Sequence, residues 1–176
     1  MSEKIVADLT RVVDELVKAG GSIDLPTLSK LADQIGKSFS VKSDEVGILA
    51  LTEGEKFIHF LVPEKLKQVG NIPMTSTSAL SVRTAREKRP EVINNFSTAR
   101  HPTVFEAVPL GPQRGDPIQK IMSAPITAEN KVIGVIQVSR KGKTMGAAGP
   151  DFTPKELAEL VKIAGVLARV IKLSSA

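Results

Sequence analysis

The sequence predicts an α+β domain, because helical periodicity near both ends of the chain encloses a middle part that alternates like β-strands. Apolar residues repeat every three or four positions from Ile5 to Ala19, the spacing of a helix that packs against another helix. In later segments, which begin near Val46 and Lys120, the repeat changes to two. With 176 residues, 41% of them hydrophobic, the chain fits one domain with room for an additional terminal helix.

The composition excludes several kinds of site. The chain has no cysteine, which rules out disulfides, thiolate nucleophiles and thiolate-bound zinc. Only His59 and His101 can supply an imidazole, so we predict no metal site. The sequence indicates no particular cofactor.

Charge and hydropathy bear on partners and location. A net charge of +5 favours anionic partners, but the absence of Trp and Tyr leaves few aromatic faces for stacking nucleic-acid bases. No apolar run approaches the roughly 20 residues that cross a bilayer. The amino terminus also lacks the continuous apolar run of a signal peptide. We therefore expect a cytoplasmic protein with no membrane contact.

Two helices are predicted at the amino-terminal end. The first carries Ile5, Leu9, Val12 and Leu16 on one side and ends at the pair Gly20-Gly21. The second runs from Pro26 to about Gly36, with proline in its first turn.

The middle of the chain contains a hairpin, a helix and a short strand. The hairpin strands are Val46–Leu51 and Lys56–Val62, and apolar residues on both faces predict a sheet that is covered on both sides. The helix that follows is expected to end at Pro90, before a strand over Glu91–Asn95. Residues 97–117 are irregular, and a structureless stretch of this length is usually functional or disordered.

The carboxyl-terminal part contains a second hairpin and a clearly marked helix. The hairpin strands are Lys120–Thr127 and Val132–Arg140, with a turn at Glu129-Asn130. The helix begins with Thr153 as N-cap, Pro154 in the first position and Glu156 completing a capping box. Its two neighbouring apolar stripes must be covered from two sides. They are Leu157, Leu160, Val161, Ala164, Leu167, Ala168 and Ile171, and Ile163, Val166, Val170 and Leu173.

We expect the two terminal helices to form a homodimer. The first helix has a regular apolar seam without an obvious partner in its own chain, and the last helix has a second stripe to cover. A symmetric pair of chains would satisfy both, whereas a deeply buried last helix in one chain is the alternative. Replacing Val166 and Val170 with glutamate is the test that the sequence suggests.

The amino-acid sequence of the carboxyl-terminal half resembles the sequences of a known family. The segments "MSAPITAENKVIGVIQVSRKG" and "DFTPKELAELVKIAGVLARVI" resemble the last hairpin and terminal helix of a GAF domain. The matching positions are Pro125, Gly134, Phe152, Thr153, Glu156 and Leu157. The segment "NIPMTSTSALSVRTAREKRPEVINN" resembles the first half of such domains more loosely.

The resemblance implies a GAF/PAS-like fold: a six-stranded antiparallel sheet with helices on both sides and the amino- and carboxyl-terminal helices packed together. On this basis residues 1–24 would form a dimerisation helix and residues 25–176 the GAF domain. The implied function is non-catalytic: sensing or signalling through a small ligand held between the sheet and its variable cover, or dimerisation. Bilin attachment and methionine sulfoxide reduction, which other members perform through cysteine, are excluded here. The cyclic-nucleotide signature is only echoed by Asn94-Asn95, Phe105 and Glu106.

The candidate ligand-binding residues lie in or near the predicted cover. Arg83 and Arg86 are three positions apart on the predicted helix and can present one cationic face to a carboxylate or phosphate. Aromatic walls and further polar groups come from the irregular segment. These are Phe96, Arg100, His101 and Phe105. We therefore expect a small anionic or amphipathic ligand, or the loss of binding, and we expect Arg140, Lys141 and Lys143 to be a solvated cluster.

Two other functions remain open at this stage. The basic run from Arg83 to Arg89 makes nucleic-acid binding an alternative, although no helix-turn-helix or aromatic platform accompanies it. An enzyme that uses His59 or His101 as a base is the second alternative. No nucleophile elbow or phosphate-binding loop supports it, so we predict that the protein is not an enzyme.

Overall fold

The computed structural model describes residues 2–21, 23–77, 79–96 and 117–172. It contains four α-helices and six β-strands within this part of the chain. The helices are α1 (Ser2–Lys18), α2 (Leu25–Ser38), α3 (Leu80–Glu87) and α4 (Pro154–Leu167). The strands are β1 (Val46–Leu51), β2 (Phe57–Val62), β3 (Ile72–Pro73), β4 (Glu91–Ile93), β5 (Ile118–Ala128) and β6 (Lys131–Lys141).

The six strands form one antiparallel sheet in the order β3-β2-β1-β6-β5-β4, which confirms the predicted fold. The longest pair, β5 and β6, turns at Glu129 and Asn130, whose φ angles of 52° and 65° match a tight hairpin turn. Within β6, a side chain on Gly134 would collide with the carbonyl oxygen of Leu49. The lack of a side chain at Gly134 therefore allows the backbone of the neighbouring strand β1 to approach closely.

One face of the sheet is covered by α1, α2 and α4, which share a single apolar core with it. The two terminal helices pack together, as predicted. Ile5, Leu9 and Val13 of α1 are buried, and Asp14 forms an ion pair with Arg169 at 2.7 Å from Oδ1 to Nη1. The seam of α1 thus finds its partners within its own chain, because it lies against both α2 and α4.

This packing changes the premise of the dimer prediction. Val12 and Leu16, which the heptad spacing assigned to the seam, are only half-buried, whereas Val13 is fully buried. Val170, one of the two positions chosen to break a dimer, is 1% exposed inside the chain. A charge at position 170 would therefore unfold the protein and would report nothing about assembly.

The beginning of α4 matches the sequence prediction. The hydroxyl of Thr153 accepts a hydrogen bond from the backbone N–H of Glu156 at 3.1 Å, and the Glu156 carboxylate accepts one from the N–H of Thr153 at 3.0 Å. Phe152 is buried and Leu157 is packed against the same core, as expected of the residues flanking a capping box. Helix α3, in contrast, ends at Lys88 in a left-handed conformation, two residues before Pro90.

The predicted solvated cluster at the end of β6 is wrong for Arg140, which is 5% exposed. Its guanidinium donates to the carbonyl oxygens of Phe39 and Pro150, both at 2.8 Å, and lies 4.2 Å from the centre of the Phe152 ring. The carboxylate of Glu156 is 3.7 Å away. Arg140 therefore connects the end of α2 and the loop between β6 and α4 to the first turn of α4.

A second buried cation holds the same loop. Lys120 donates to the carbonyl oxygen of Gly149 at 2.6 Å and forms an ion pair with Asp151 at 2.9 Å. The side chain of Asn94 adds two hydrogen bonds to the backbone of Phe152, one donated at 3.0 Å and one accepted at 2.9 Å. The loop between β6 and α4 is thus fixed to the sheet through buried polar contacts.

Candidate functional site

The sheet face opposite the terminal helices carries α3 and two separate apolar clusters. The larger cluster joins α3 to β1, β2 and β6; it contains Leu49, Leu51, Ile58, Phe60, Ile72, Ala79, Val82, Ala85, Val132 and Val135. The smaller cluster contains Leu80, Phe96 and Ile121. A row of polar and small residues crosses the sheet at the level of Ser123 on this face.

The row follows the strand pairing. Gly47 of β1 lies opposite Gln137 of β6, which lies opposite Ser123 of β5, which in turn lies opposite Glu91 of β4. Gln137 and Ser123 are 4% and 0% exposed. Buried polar side chains reduce stability unless they form hydrogen bonds, so their partners decide what this row does.

Hydrogen bonds link the row to α3. The amide of Gln137 donates to the Ser123 hydroxyl at 3.2 Å, and the hydroxyls of Ser123 and Thr84 are 2.7 Å apart. Thr84 donates to the carbonyl oxygen of Leu80 at 2.9 Å, so Ser123 is the donor between the two hydroxyls. We refer to Gln137, Ser123, Thr84 and Ser81 as the polar row.

Ser81 differs from its neighbours in this row. It lies on α3 three residues before Thr84 and is 0% exposed, yet its hydroxyl has no hydrogen-bond partner within the described residues. Leaving a buried hydroxyl without a partner costs about 1–3 kcal/mol. A small molecule with a hydrogen-bonding group could supply that partner.

The structure separates the predicted ligand-binding residues. Arg83 forms two hydrogen bonds with the carboxylate of Glu91, at 3.0 and 2.9 Å, at the β4 end of the row. Phe96 is buried in the smaller cluster, beside the row, and its backbone N–H donates to the carbonyl oxygen of Gln119 at 2.9 Å. Arg86 lies on another side of α3, at the rim of a separate groove. Arg100, His101 and Phe105 lie outside the described residues.

None of the four residues of the polar row was predicted from the sequence. A weak signal was present, because Ser123 and Gln137 interrupt the long apolar strands β5 and β6. Serine and glutamine inside a strand that is buried on both faces need a local partner. That partner, Thr84, is 39 residues away from Ser123, so sequence spacing alone did not identify it.

Titration of His59 is perturbed by its position on β2. Partial burial, followed by the nearby charge of Lys67, lowers the pKa of this imidazole below its ordinary value. The neutral form is therefore favoured in the folded protein.

Within the described residues, no group of three histidine, aspartate or glutamate side chains is arranged to hold a metal ion. None of the helices in the same residues is long and apolar enough to cross a membrane.

A single antiparallel sheet, with terminal helices on one face and a short helix above a polar row on the other, defines a PAS-like α+β domain. The model of the GAF domain family matches residues 26–172, most of the chain. The chain belongs to the GAF domain family, a family of signalling and sensor domains. No curated protein sequence matches it.

Solved structures with the same fold come from proteins of different kinds. The GAF domain of a phosphoenolpyruvate-protein phosphotransferase from Acinetobacter has a TM-score of 0.62 and 18% identity, over 94% of this chain and 92% of that one. Free methionine-R-sulfoxide reductase from Neisseria meningitidis, solved with its substrate, gives 0.66 and 13%, over 96% and 86%. Residues 122 to 287 of a methyl-accepting chemotaxis protein give 0.63 and 13%, over 92% of both chains. At these identities the likeness concerns the fold.

Proposed function

We propose that this GAF domain is a non-catalytic cytoplasmic sensor that binds a small molecule between the sheet and α3, at the polar row. The buried and unpartnered hydroxyl of Ser81 is the observation that carries the proposal. Beside it, Thr84, Ser123 and Gln137 hold one another in fixed positions, so a ligand would meet a preorganised set of polar groups.

Apolar walls on both sides of the row suit a ligand that also has an apolar part. Leu80 and Phe96 lie on one side, and Val82 and Val135 lie on the other. Pockets of this kind combine apolar walls with a few polar anchors that orient the ligand. Binding by Arg100, His101 and Phe105 stays a prediction from sequence, as does the anionic character of the ligand.

Regulation is favoured over catalysis because the chain has no cysteine. The reductase from Neisseria meningitidis shares the fold, but the cysteine chemistry that the family resemblance attributes to such reductases has no counterpart here.

Nucleic-acid binding through the run from Arg83 to Arg89 loses support. Arg83 is paired with Glu91 and Arg89 with Glu87, so fewer cations of the run remain for phosphates.

The first experiment is to identify a ligand that copurifies. Because the protein lacks Trp and Tyr, it absorbs very little near 280 nm, and a bound chromophore would be visible in a simple spectrum. Mass spectrometry after denaturation would identify a colourless ligand. If both are negative, a thermal-shift screen of small metabolites on the intact protein follows.

Variants then locate the site. Ser81→Ala removes the unpartnered hydroxyl, so we expect the free protein to keep or gain stability while ligand affinity falls about tenfold, the loss of one hydrogen bond. The control is Ser38→Ala, because Ser38 is a partly buried serine of α2 whose hydroxyl, among the described residues, bonds only to its own helix, at the Ile35 carbonyl oxygen. Equal affinities of the wild type and Ser81→Ala would show that the ligand lies elsewhere.

We also propose that the domain forms a homodimer through its terminal helices, using the surface that the intrachain packing leaves exposed. Val161 of α4 and Val17 of α1 are 43% and 41% exposed, and they are two of the four exposed large apolar residues in the described part of the chain. Val161→Glu should give a folded monomer by light scattering, because it charges the exposed side of α4 and not the core. A wild-type protein that is monomeric at micromolar concentration would contradict the dimer.

A further inference from the structure

A groove of ≈ 420 Å³ lies at the carboxyl end of α3, on the same face of the sheet as the polar row but formed by different residues. It opens between α3, the β1–β2 turn and the β5–β6 turn. Its lining residues are Leu51, Glu55, Met74, Ala85, Arg86, Lys88, Asn130, Lys131 and Val132. The groove shares no residue with the polar row.

The floor of the groove is apolar. Leu51, Ala85 and Val132 belong to the larger apolar cluster and are 2%, 5% and 5% exposed, and Met74 packs against the same cluster. These side chains come from three strands or strand ends and one helix, so their positions are set by the core. An apolar group that enters the groove would therefore meet a preformed surface.

The rim of the groove is predominantly cationic. The lining includes three cationic side chains and one carboxylate. The cations are Arg86, Lys88 and Lys131, and the carboxylate is that of Glu55. Glu55 and Lys131 are about half-exposed and 3.8 Å apart, a loose ion pair in water. The guanidinium of Arg86 has one long hydrogen bond, 3.4 Å, to the carbonyl oxygen of Ser76.

The backbone fixes where the cations emerge. Lys88 caps α3 in a left-handed conformation, with φ of 58°, and its N–H donates to the carbonyl oxygen of Thr84 at 2.9 Å. Lys131 follows Asn130 in the tight turn between β5 and β6. The three cations thus approach one groove from two rigid elements rather than from a loop.

We infer that this groove is a second binding site, which takes a small amphipathic organic anion: a carboxylate with a short apolar body. The apolar body would lie on Leu51, Met74 and Val132, and the carboxylate would accept hydrogen bonds from Arg86 and be attracted by Lys88 and Lys131. Because α3 borders both the groove and the polar row, the same helix would contact the occupants of both sites.

Methionine-methyl NMR on the intact chain tests this site directly. The protein has four methionines, of which Met74 lines the groove, whereas Met122 is buried on the opposite face of the sheet and Met145 lies in the loop before α4. With methyl-labelled methionine and the Met74 signal assigned from Met74→Leu, octanoate is added below its micelle concentration. We expect a saturable shift of the Met74 methyl and none of Met122 or Met145.

Two comparisons show whether the groove recognises the charge. Octanol has a similar apolar body without the carboxylate, and we expect it to bind at least about tenfold more weakly, the loss of one charge-assisted hydrogen bond. Arg86→Gln should weaken octanoate binding by a similar factor. Its matched control is Arg89→Gln, which lies three residues further along, pairs with Glu87 and does not line the groove.

Specific outcomes would overturn the inference. These are an unchanged Met74 signal at the highest octanoate concentration, equal binding of octanol and octanoate, and equal weakening by Arg86→Gln and Arg89→Gln. The last result would mean that the general positive charge attracts the anion. Ser81→Ala should leave octanoate binding unchanged, so failure of this site and failure of the polar row as a ligand site can be told apart.

Discussion

The two faces of the sheet differ in how continuous their apolar packing is. On the face covered by α1, α2 and α4, apolar side chains from β1, β5 and β6 merge with the helices into one core. On the α3 face, two smaller clusters lie on either side of buried serine, threonine and glutamine side chains. Both faces are covered, but the apolar packing is divided by buried serine, threonine and glutamine side chains on the α3 face and is continuous on the other.

This difference indicates that one face of the sheet mainly stabilises the fold and that the other is suited to binding a ligand. Burial of apolar area is the main source of stability, and the terminal-helix face maximises it. The α3 face gives up part of that stabilisation for polar groups whose hydrogen-bonding capacity is incompletely used, as at Ser81. A ligand-binding face beneath one short helix, supported by a rigid face behind it, follows from this arrangement.

The largest expected effect compares one leucine from each face. Leu160 of α4 and Leu80 of α3 are 0% and 1% exposed, and the same substitution removes the same atoms. Leu→Ala changes in cores cost about 2–5 kcal/mol, more where the surroundings cannot relax into the cavity. We expect Leu160→Ala near the top of that range and Leu80→Ala near the bottom, measured by urea unfolding. Equal costs would mean that the two faces pack equally well.

The next effect tests the buried cation behind α4. Arg140→Met keeps much of the side-chain length but removes the donors to Phe39 and Pro150, so we expect the free energy of unfolding to fall by about 2–4 kcal/mol. Arg169→Met is the matched control. Arg169 pairs with Asp14 at the surface, where such a pair contributes about 1 kcal/mol or less. Similar losses for the two variants would contradict the anchoring role of Arg140.

The smallest effect concerns pH. Because the folded state lowers the pKa of His59, the unfolded chain binds more protons between that lowered value and the ordinary value of about 6.5. The free energy of unfolding therefore has its full value, as far as His59 is concerned, above pH 6.5. It decreases as the pH falls through the folded pKa. Urea unfolding at pH 7.5 and 5.5 should show a smaller loss of stability for His59→Gln than for the wild type. An imidazole NMR titration of His59 with a midpoint above 6.5 would refute the predicted direction.

Features that depend on neighbouring residues could be predicted from the sequence. The capping box at Thr153 and Glu156 and the hairpin turn at Glu129-Asn130 are local, because their hydrogen bonds and dihedral angles involve residues at most a few positions apart. The two-residue strand β3 is too short to show an alternating pattern, and only the family resemblance implied a sixth strand.

Features that depend on distant partners could not be predicted. Arg140 resembles a surface residue in sequence because it precedes Lys141, yet its partner Phe39 is 101 residues away. In the same way the seam of α1 suggested a second chain, since the periodicity of α1 alone does not show whether its partner helix belongs to the same chain. The two arginines that were predicted to bind one ligand lie at different sites for a related reason. Arg83 and Arg86 share a helix but face different neighbours.

The hydrogen bonds of the polar row also have a direction. They run from the Gln137 amide to Ser123, from Ser123 to Thr84 and from Thr84 to the carbonyl oxygen of Leu80. The hydroxyl protons of Ser123 and Thr84 are both donated within this series of hydrogen bonds. These two residues can therefore act toward a ligand only as acceptors, through oxygen lone pairs. A molecule that approaches these two residues is therefore selected for the protons it can offer, and Ser81 has a hydroxyl proton that can be offered in return.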